Sequence, residues 1–431
     1  MTGTTERAPR LVRAVGRWDL VALVINGIVG AGIFGLPAKV HALIGAWGIL
    51  AIVACAVLTL LIILCFAEVS SRFTETGGPF LYATEAFGPF AGFIAGWLLW
   101  LARIAGICAI VGIMVQYLAF LIPSVASGMP RVVLLTCVIF GFAALHVSGI
   151  RRAIRFSNVV TIAKLLPLVL LVAIGVPAVR WHSLDFSATP STPDFSSAML
   201  LLVFAFVGWE TALVAAGELR DPRRDMPFAL FVALAVVAVL YMGLQIVCVG
   251  MLPMLSTSTR PLADAALALV GPIGGTVIVV GAVISMLGTI NGSILTISRI
   301  PFAMAVAGAL PASFAVLHPR FHTPVLCIAL STAIVWLLTL TNSHIYLLTI
   351  STIARLLVFA MTCAALPVLR RRTATLPARF TLAGGLTIPI AAMVLVAWLL
   401  ANTSRAETRD VLVAATVGAG ICALLRFRRA V

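Results

Sequence analysis

Unbroken apolar stretches of about 20 residues recur along almost the whole of this 431-residue chain. Water gives such stretches nowhere to bury. Coiled as helices, each is long enough to cross roughly 30 Å of hydrocarbon. A membrane barrel would instead show short segments of alternating polarity. The pattern implies an all-α integral membrane protein. Twelve runs are counted, at 18–41, 45–70, 90–121, 131–149, 154–177, 195–218, 227–252, 272–304, 324–341, 345–369, 380–402 and 410–427. Only 10% of the residues are charged, against about 25% in soluble domains, so lipid is the expected solvent. No soluble domain fits between the runs. The longest unambiguous loop, 178–194, reads "AVRWHSLDFSATPSTPD". The first run follows a basic stretch but lacks a small-residue cleavage site, so it reads as a retained span.

The formal charge of +15 invites a nucleic-acid reading, but its distribution argues against one. With loops assigned alternately to the two sides, one side holds Lys39, Arg131, Arg180, Arg260, Arg405 and Arg409. The other holds Arg7, Arg10, Arg13, Arg17, Arg72, Arg151, Arg152, Arg155, Arg220, Arg223, Arg224, Arg299, Arg320, Arg370, Arg371, Arg372, Arg379, Arg426, Arg428 and Arg429. Positive loops face the cytoplasm. Both termini are therefore expected inside, in the cytoplasmic membrane, with the basic loops touching anionic lipid. No nucleic-acid partner is expected.

The eight cysteines fall within or beside apolar runs and form no CxxC pair. They read as small buried hydrophobes without a disulfide. The histidines, His146 and the loop residues His41, His182, His318, His322 and His344, show no ligand spacing. No metal or cofactor is expected.

Inside the first run, "NGIVGAGIFGLP" (26–37) places glycines at 27, 30, 32 and 35. Glycine costs about 1 kcal/mol against alanine within a helix. One reading is that Gly30 and Gly32 let helices pack closely. The other is a break at Gly30, Ala31 and Gly32. In lipid, irregular backbone survives only where it lines a cavity. The two half-helices then offer free N–H groups to an anion and free carbonyls to a cation. An α-amino acid carries both charges. The sixth run holds "FAFVGWE" (204–210), with Gly208 beside Glu210. A second interruption half a chain later suits an inverted repeat of five plus five helices.

These stretches resemble amino acid permeases of the amino acid–polyamine–organocation superfamily. "GIVGAGIFGLPAKV" (27–40) resembles their first span, and "FAFVGWETALVAAGELRDPRRDMPFAL" (204–230) their sixth span and following loop. Colinear with these are "AEVSSRFTETGGPFLYATEAFGPFAGFIAGW" (67–97), "NVVTIAKLLPLVLL" (158–171) and "SRIPFAMAVAGALPASFAVLHPRFHTP" (298–324). The resemblance implies twelve transmembrane helices in a LeuT-like fold with helices 1 and 6 broken. It divides the chain into a tail (1–17), a first half (18–177), a second half (195–369) and two peripheral spans (380–427). Carried over by position, it places the substrate carboxylate at the amides of Ala31 and Gly32. The ammonium falls to carbonyls near Ile28, Phe204 and Val207, with Phe204 as an aromatic gate. Many relatives have a serine where this chain has Ala31, so carboxylate binding here rests on backbone amides. Ile107 and Ile110 would face the substrate side chain, and Ser293 stands where some cationic-substrate relatives have a bulky aromatic.

Four ionisable residues lie well inside the runs: Arg103, Lys164, Glu210 and Arg355. Each costs about 3 kcal/mol on insertion scales and should face protein or water. The chain has 27 arginines and two lysines, and Lys164 is mid-run. A desolvated lysine can release its proton; an arginine cannot. Lys164 is therefore a candidate carrier of a coupled proton, a reading that the pattern "IAKLLPL" shares with some family members. The alternative is a fixed charge bonded to carbonyls of the broken first span. Glu210 is the competing carrier, or else a structural acid bonded to unwound backbone. Arg103 and Arg355 would pair with carbonyls or with Glu210, or touch substrate. Glu68, Glu218, Asp221 and Asp225 lie among Arg72, Arg220, Arg223 and Arg224, either as an inner gate or as solvated loop charge.

The expected function is proton-coupled secondary transport of an amino acid. The expected pocket positions hold no acid for a cationic side chain, so a neutral or apolar substrate is favoured. An exchanger or exporter, or a cationic amino acid or polyamine antiporter, is the alternative, and a non-transporting sensor the remoter one. No HExxH, GxSxG or acid cluster suggests an enzyme.

Overall fold

The computed structural model describes residues 15–430 except 215, 217, 218, 342, 343, 373–376 and 404. Arg7, Arg10, Arg13 and Glu218 lie outside the described residues, as do the side chains of Arg151, Arg152, Arg155, Arg426, Arg428, Arg429 and His344. The helices are α1 (Arg17–Ile28), α2 (Ala31–Ile44), α3 (Gly48–Ser70), α4 (Pro79–Phe87), α5 (Pro89–Leu121), α6 (Gly128–Val147), α7 (Ile150–Ala178) and α8 (Thr192–Phe206). They continue as α9 (Glu210–Val214), α10 (Pro222–Met251), α11 (Pro261–Val270), α12 (Pro272–Val306), α13 (Val325–Thr339), α14 (His344–Arg370), α15 (Thr387–Ala401) and α16 (Arg405–Ala430). Among the described residues the only extended pairing is one bridge, Val15 with Leu219.

Eight helical stretches among the described residues are long and apolar enough to cross a membrane. Among the shorter apolar helices, α8, α13 and α15 have 15 residues each. At 1.5 Å per residue these reach about 22 Å. Local chemistry sets many of the starts. Prolines 79, 89, 222, 261 and 272 open α4, α5, α10, α11 and α12, where a missing N–H costs nothing. Ser191 caps α8 by accepting the Asp194 N–H at 3.2 Å. Two helices, α4 and α11, lie between the twelve counted runs.

α1 packs on α7, α9, α10 and α12, and α2 packs on α8. α5 lies against α12 and α14. α6 and α16 are the least enclosed. They and α7 turn apolar side chains such as Val133, Ile162, Leu166 and Val417 outward, as a lipid solvent allows. All eight cysteines are free; seven are buried, but Cys137 is exposed on α6.

Candidate functional site

The first helical path stops after Ile28 and resumes at Ala31. The break lies at Val29 and Gly30, earlier than the expected Gly30–Gly32, and Ala31 and Gly32 open α2 instead. The cause is a set of substitute donors. In a continuous helix the Gly30 N–H would bond Asn26 O; here it turns to Ile28 O at 2.8 Å. Asn26 O instead accepts from Lys164 Nζ at 2.9 Å and Thr289 Oγ1 at 3.1 Å. Val29 O accepts from Lys164 Nζ and from Ser285 Oγ at 2.9 Å. Tyr241 Oη lies 3.2 Å from both Ile28 O and Ala205 O, joining the ends of α1 and α8. Three neighbouring helices thus supply what the helix gave up.

The second break spans Val207 to Trp209. Gly208 adopts φ +122°, a conformation glycine reaches without strain. Its N–H donates to Glu210 Oε2 at 2.8 Å, so Phe204 O loses its helical donor. The two breaks touch. A Cβ at Gly208 would come within 2.1 Å of Gly27 O, and one at Gly27 within 2.5 Å of Gly208 O. Gly32 likewise faces Ala205 Cα, 3.1 Å from where a Cβ would stand. The glycines therefore serve close packing and interruption together. Gly27, one residue before the α1 end, is central to the contact.

A small cavity of about 20 Å³ opens at this junction. Ile28, Gly30, Ala31 and Gly32 line it from the first break, and Phe204, Val207 and Gly208 from the second. Ser293 and Thr289 contribute from α12, and Arg103, Gly106 and Ile110 from one face of α5. Ile107 is buried but is not part of the wall. Ala31 and Gly32 lie in an uncapped first turn, whose N–H groups have no partner within the helix. Ile28 O already accepts from Tyr241 and Gly30, whereas Phe204 O has lost its helical donor. The Phe204 ring lies against Gly32.

Lys164 is fully buried on the far side of the first break. Glu210 is equally buried, 3.1 Å from Arg103 Nη2 and 3.3 Å from Arg355 Nε. At the 68–72 end of the molecule, Glu68 bonds Arg370 Nη2 at 2.6 Å, Arg72 Nη2 at 3.1 Å and the Leu382 N–H at 2.8 Å. Arg17 pairs with Asp225 at 2.9 Å, and Arg379 with Asp221 at 3.4 Å. Glu68 is buried, so that part of the cluster is not solvated loop charge.

The family profile described as "Amino acid permease" matches residues 15–422. The chain belongs to the amino acid permease family. The permease is 28% identical over 344 residues to a serine/threonine exchanger of Bacillus subtilis, covering 77% of this chain and 78% of that one. It is 28% identical to a methylthioribose transporter of the same organism, with 74% and 73% covered. It is also 28% identical to an uncharacterised transporter of Mycobacterium bovis, with 77% and 74% covered. The permease is thus a multi-pass membrane transporter of the amino acid–polyamine–organocation superfamily and not an enzyme.

Proposed function

We propose that the permease is a secondary active transporter of amino acids in the cytoplasmic membrane, with a proton as the coupled ion. The observation that carries this reading is the contact between two interrupted helices beside one cavity. Unpartnered N–H groups at the start of α2 suit a carboxylate, and the Phe204 carbonyl suits an ammonium. The order of the breaks supports twelve spans in a LeuT-like arrangement. Residues 18–177 and 195–369 form the inverted halves, with 380–427 peripheral. The arginine-rich loops support cytoplasmic termini.

Lys164 is the proposed proton carrier. Its Nζ holds the carbonyl end of α1 and has no carboxylate partner among the described residues. Asp19 of α1 is taken by Asn158 of α7, whose Nδ2 donates to it at 2.7 Å. Losing the Lys164 proton would release Asn26 O and Val29 O, which links protonation to the shape of the break. Glu210 sits between two arginines and serves as a structural acid in this reading. The two cavity arginines weigh against a cationic amino acid or polyamine. Exchange is the second reading, favoured by the relative named as a serine/threonine exchanger.

Counterflow in proteoliposomes, with and without a proton gradient, tests both. Uptake driven by an imposed inward gradient is expected, together with its loss in Lys164→Ala and Lys164→Arg while exchange persists. Gradient-driven uptake unchanged in either variant removes Lys164 from coupling. Exchange with no response to the gradient in the wild type favours the exchanger.

A further inference from the structure

One wall of the cavity has an unbalanced charge. Arg103 comes from α5, Arg355 from α14 and Glu210 from the start of α9. Arg103 is 2% exposed, Arg355 5% and Glu210 0%. Both guanidiniums approach the same carboxylate oxygen, Oε1, while Oε2 is taken by the Gly208 N–H. Two cations therefore share one anion. The donors turned to this carboxylate are not satisfied by it: Arg103 Nε and Nη2 and Arg355 Nε make no hydrogen bond among the described residues, and Glu210 Oε1 accepts none. They are near Glu210 in distance but misaligned in angle.

A buried charge without a full partner is costly. Here the packing makes room for it. Gly106 is one turn beyond Arg103 on α5, and a Cβ there would stand 2.8 Å from Arg355 Nη2 and 3.0 Å from Ser351 Oγ. The absent side chain is what allows the second guanidinium beside the first. Arg103, Arg355 and Gly106 all line the cavity with the two breaks. A guanidinium presents a planar fork of N–H donors that matches a carboxylate.

We infer that the substrate is a dicarboxylic amino acid whose side-chain carboxylate is held by Arg103 and Arg355. The inference rests on the amino acid transport reading and sharpens it. The α-carboxylate has its own donors at Ala31 and Gly32, so the arginine pair is left for a second acid group. The excess positive charge of the wall is then matched by the excess negative charge of the substrate. The positive charge of this wall disfavours arginine and lysine as cargo. It also replaces the neutral or apolar preference, which was drawn from Ile107, Ile110 and Ser293 without sight of this wall.

The test uses the full chain in proteoliposomes, with unlabelled amino acids competing against labelled L-glutamate and, separately, labelled L-glutamine. L-glutamate or L-aspartate is expected to bind about tenfold or more tightly than its amide, because a site built for a charged group is left unpaired by the isostere. Amides or L-leucine binding as tightly as the acids would overturn the inference while leaving amino acid transport intact. Binding of none of these compounds would overturn the inference, and counterflow with the remaining amino acids then tests the transport reading by itself. Arg355→Gln leaves one arginine facing one glutamate, a balanced pair that should fold. It is expected to lose the preference for glutamate while still binding glutamine. An unchanged glutamate preference in that variant would also overturn the assignment.

Discussion

Single atoms decide much of this site. At Gly208 the backbone is both left-handed and pressed on Gly27 O. Gly208→Ala should therefore fail twice, by strain and by collision, and lose transport along with several degrees of melting temperature. Gly35 lies in α2 with nothing within 4 Å of a Cβ. Gly35→Ala should be silent in transport and stabilise by about 0.5–1 kcal/mol, from helix propensity alone. Thermal unfolding in detergent, run beside uptake, separates the two. Glu210 offers a third comparison. Removing its charge strands two buried guanidiniums, and breaking such a cluster costs about 3–5 kcal/mol. Glu210→Gln should melt far below the wild type, and a melting curve unchanged by it would show that the arginines have partners other than this carboxylate.

At the scale of elements, a broken helix needs its lost hydrogen bonds replaced. α7 supplies Lys164, α10 supplies Tyr241, and α12 supplies Ser285 and Thr289. This is why the glycine-rich run revealed that an interruption was expected but misplaced it. Glycines at 27, 30, 32 and 35 permit a break at several points; the donors on three distant helices select Val29 and Gly30. The same reasoning separates what was legible at α5. The apolar run gave the helix, and Arg103 stood out by its charge. That Arg103, Gly106 and Ile110 form the wall, and Ile107 does not, depends on how α5 is rotated against α14 and α12, which no pattern within α5 records. Tyr241 carried no sequence signal at all, being one aromatic among many apolar neighbours. Tyr241→Phe removes only the hydroxyl between Ile28 O and Ala205 O. It should cost about 1–2 kcal/mol by melting and slow transport, because the ends of α1 and α8 would then move independently. Equal transport rates would mean that the two carbonyls find water instead.

Across the whole molecule, lipid makes the spans easy to read, because nearly every outward residue must be apolar. Ion pairs are harder to read, since the partners lie far apart in sequence. Arg370 was counted only as basic loop charge, yet it grips Glu68 across 302 positions. That carboxylate joins the end of α3, the end of α14 and the segment leading to α15 through Arg72, Arg370 and the Leu382 N–H. Glu85 and Arg372 make a pair of similar length, 2.9 Å, but both are well exposed. Burial should decide between them. An exposed pair contributes about 0–1 kcal/mol and is screened by salt. A buried carboxylate that leaves two arginines behind costs about 3 kcal/mol or more when neutralised. Glu68→Gln is therefore expected to lower the melting temperature sharply at both low and high salt. Glu85→Gln should leave it almost unchanged, and any small loss should vanish as salt rises. If the two variants melted alike, the Glu68 cluster would be solvated charge and could not tie α3 to α14.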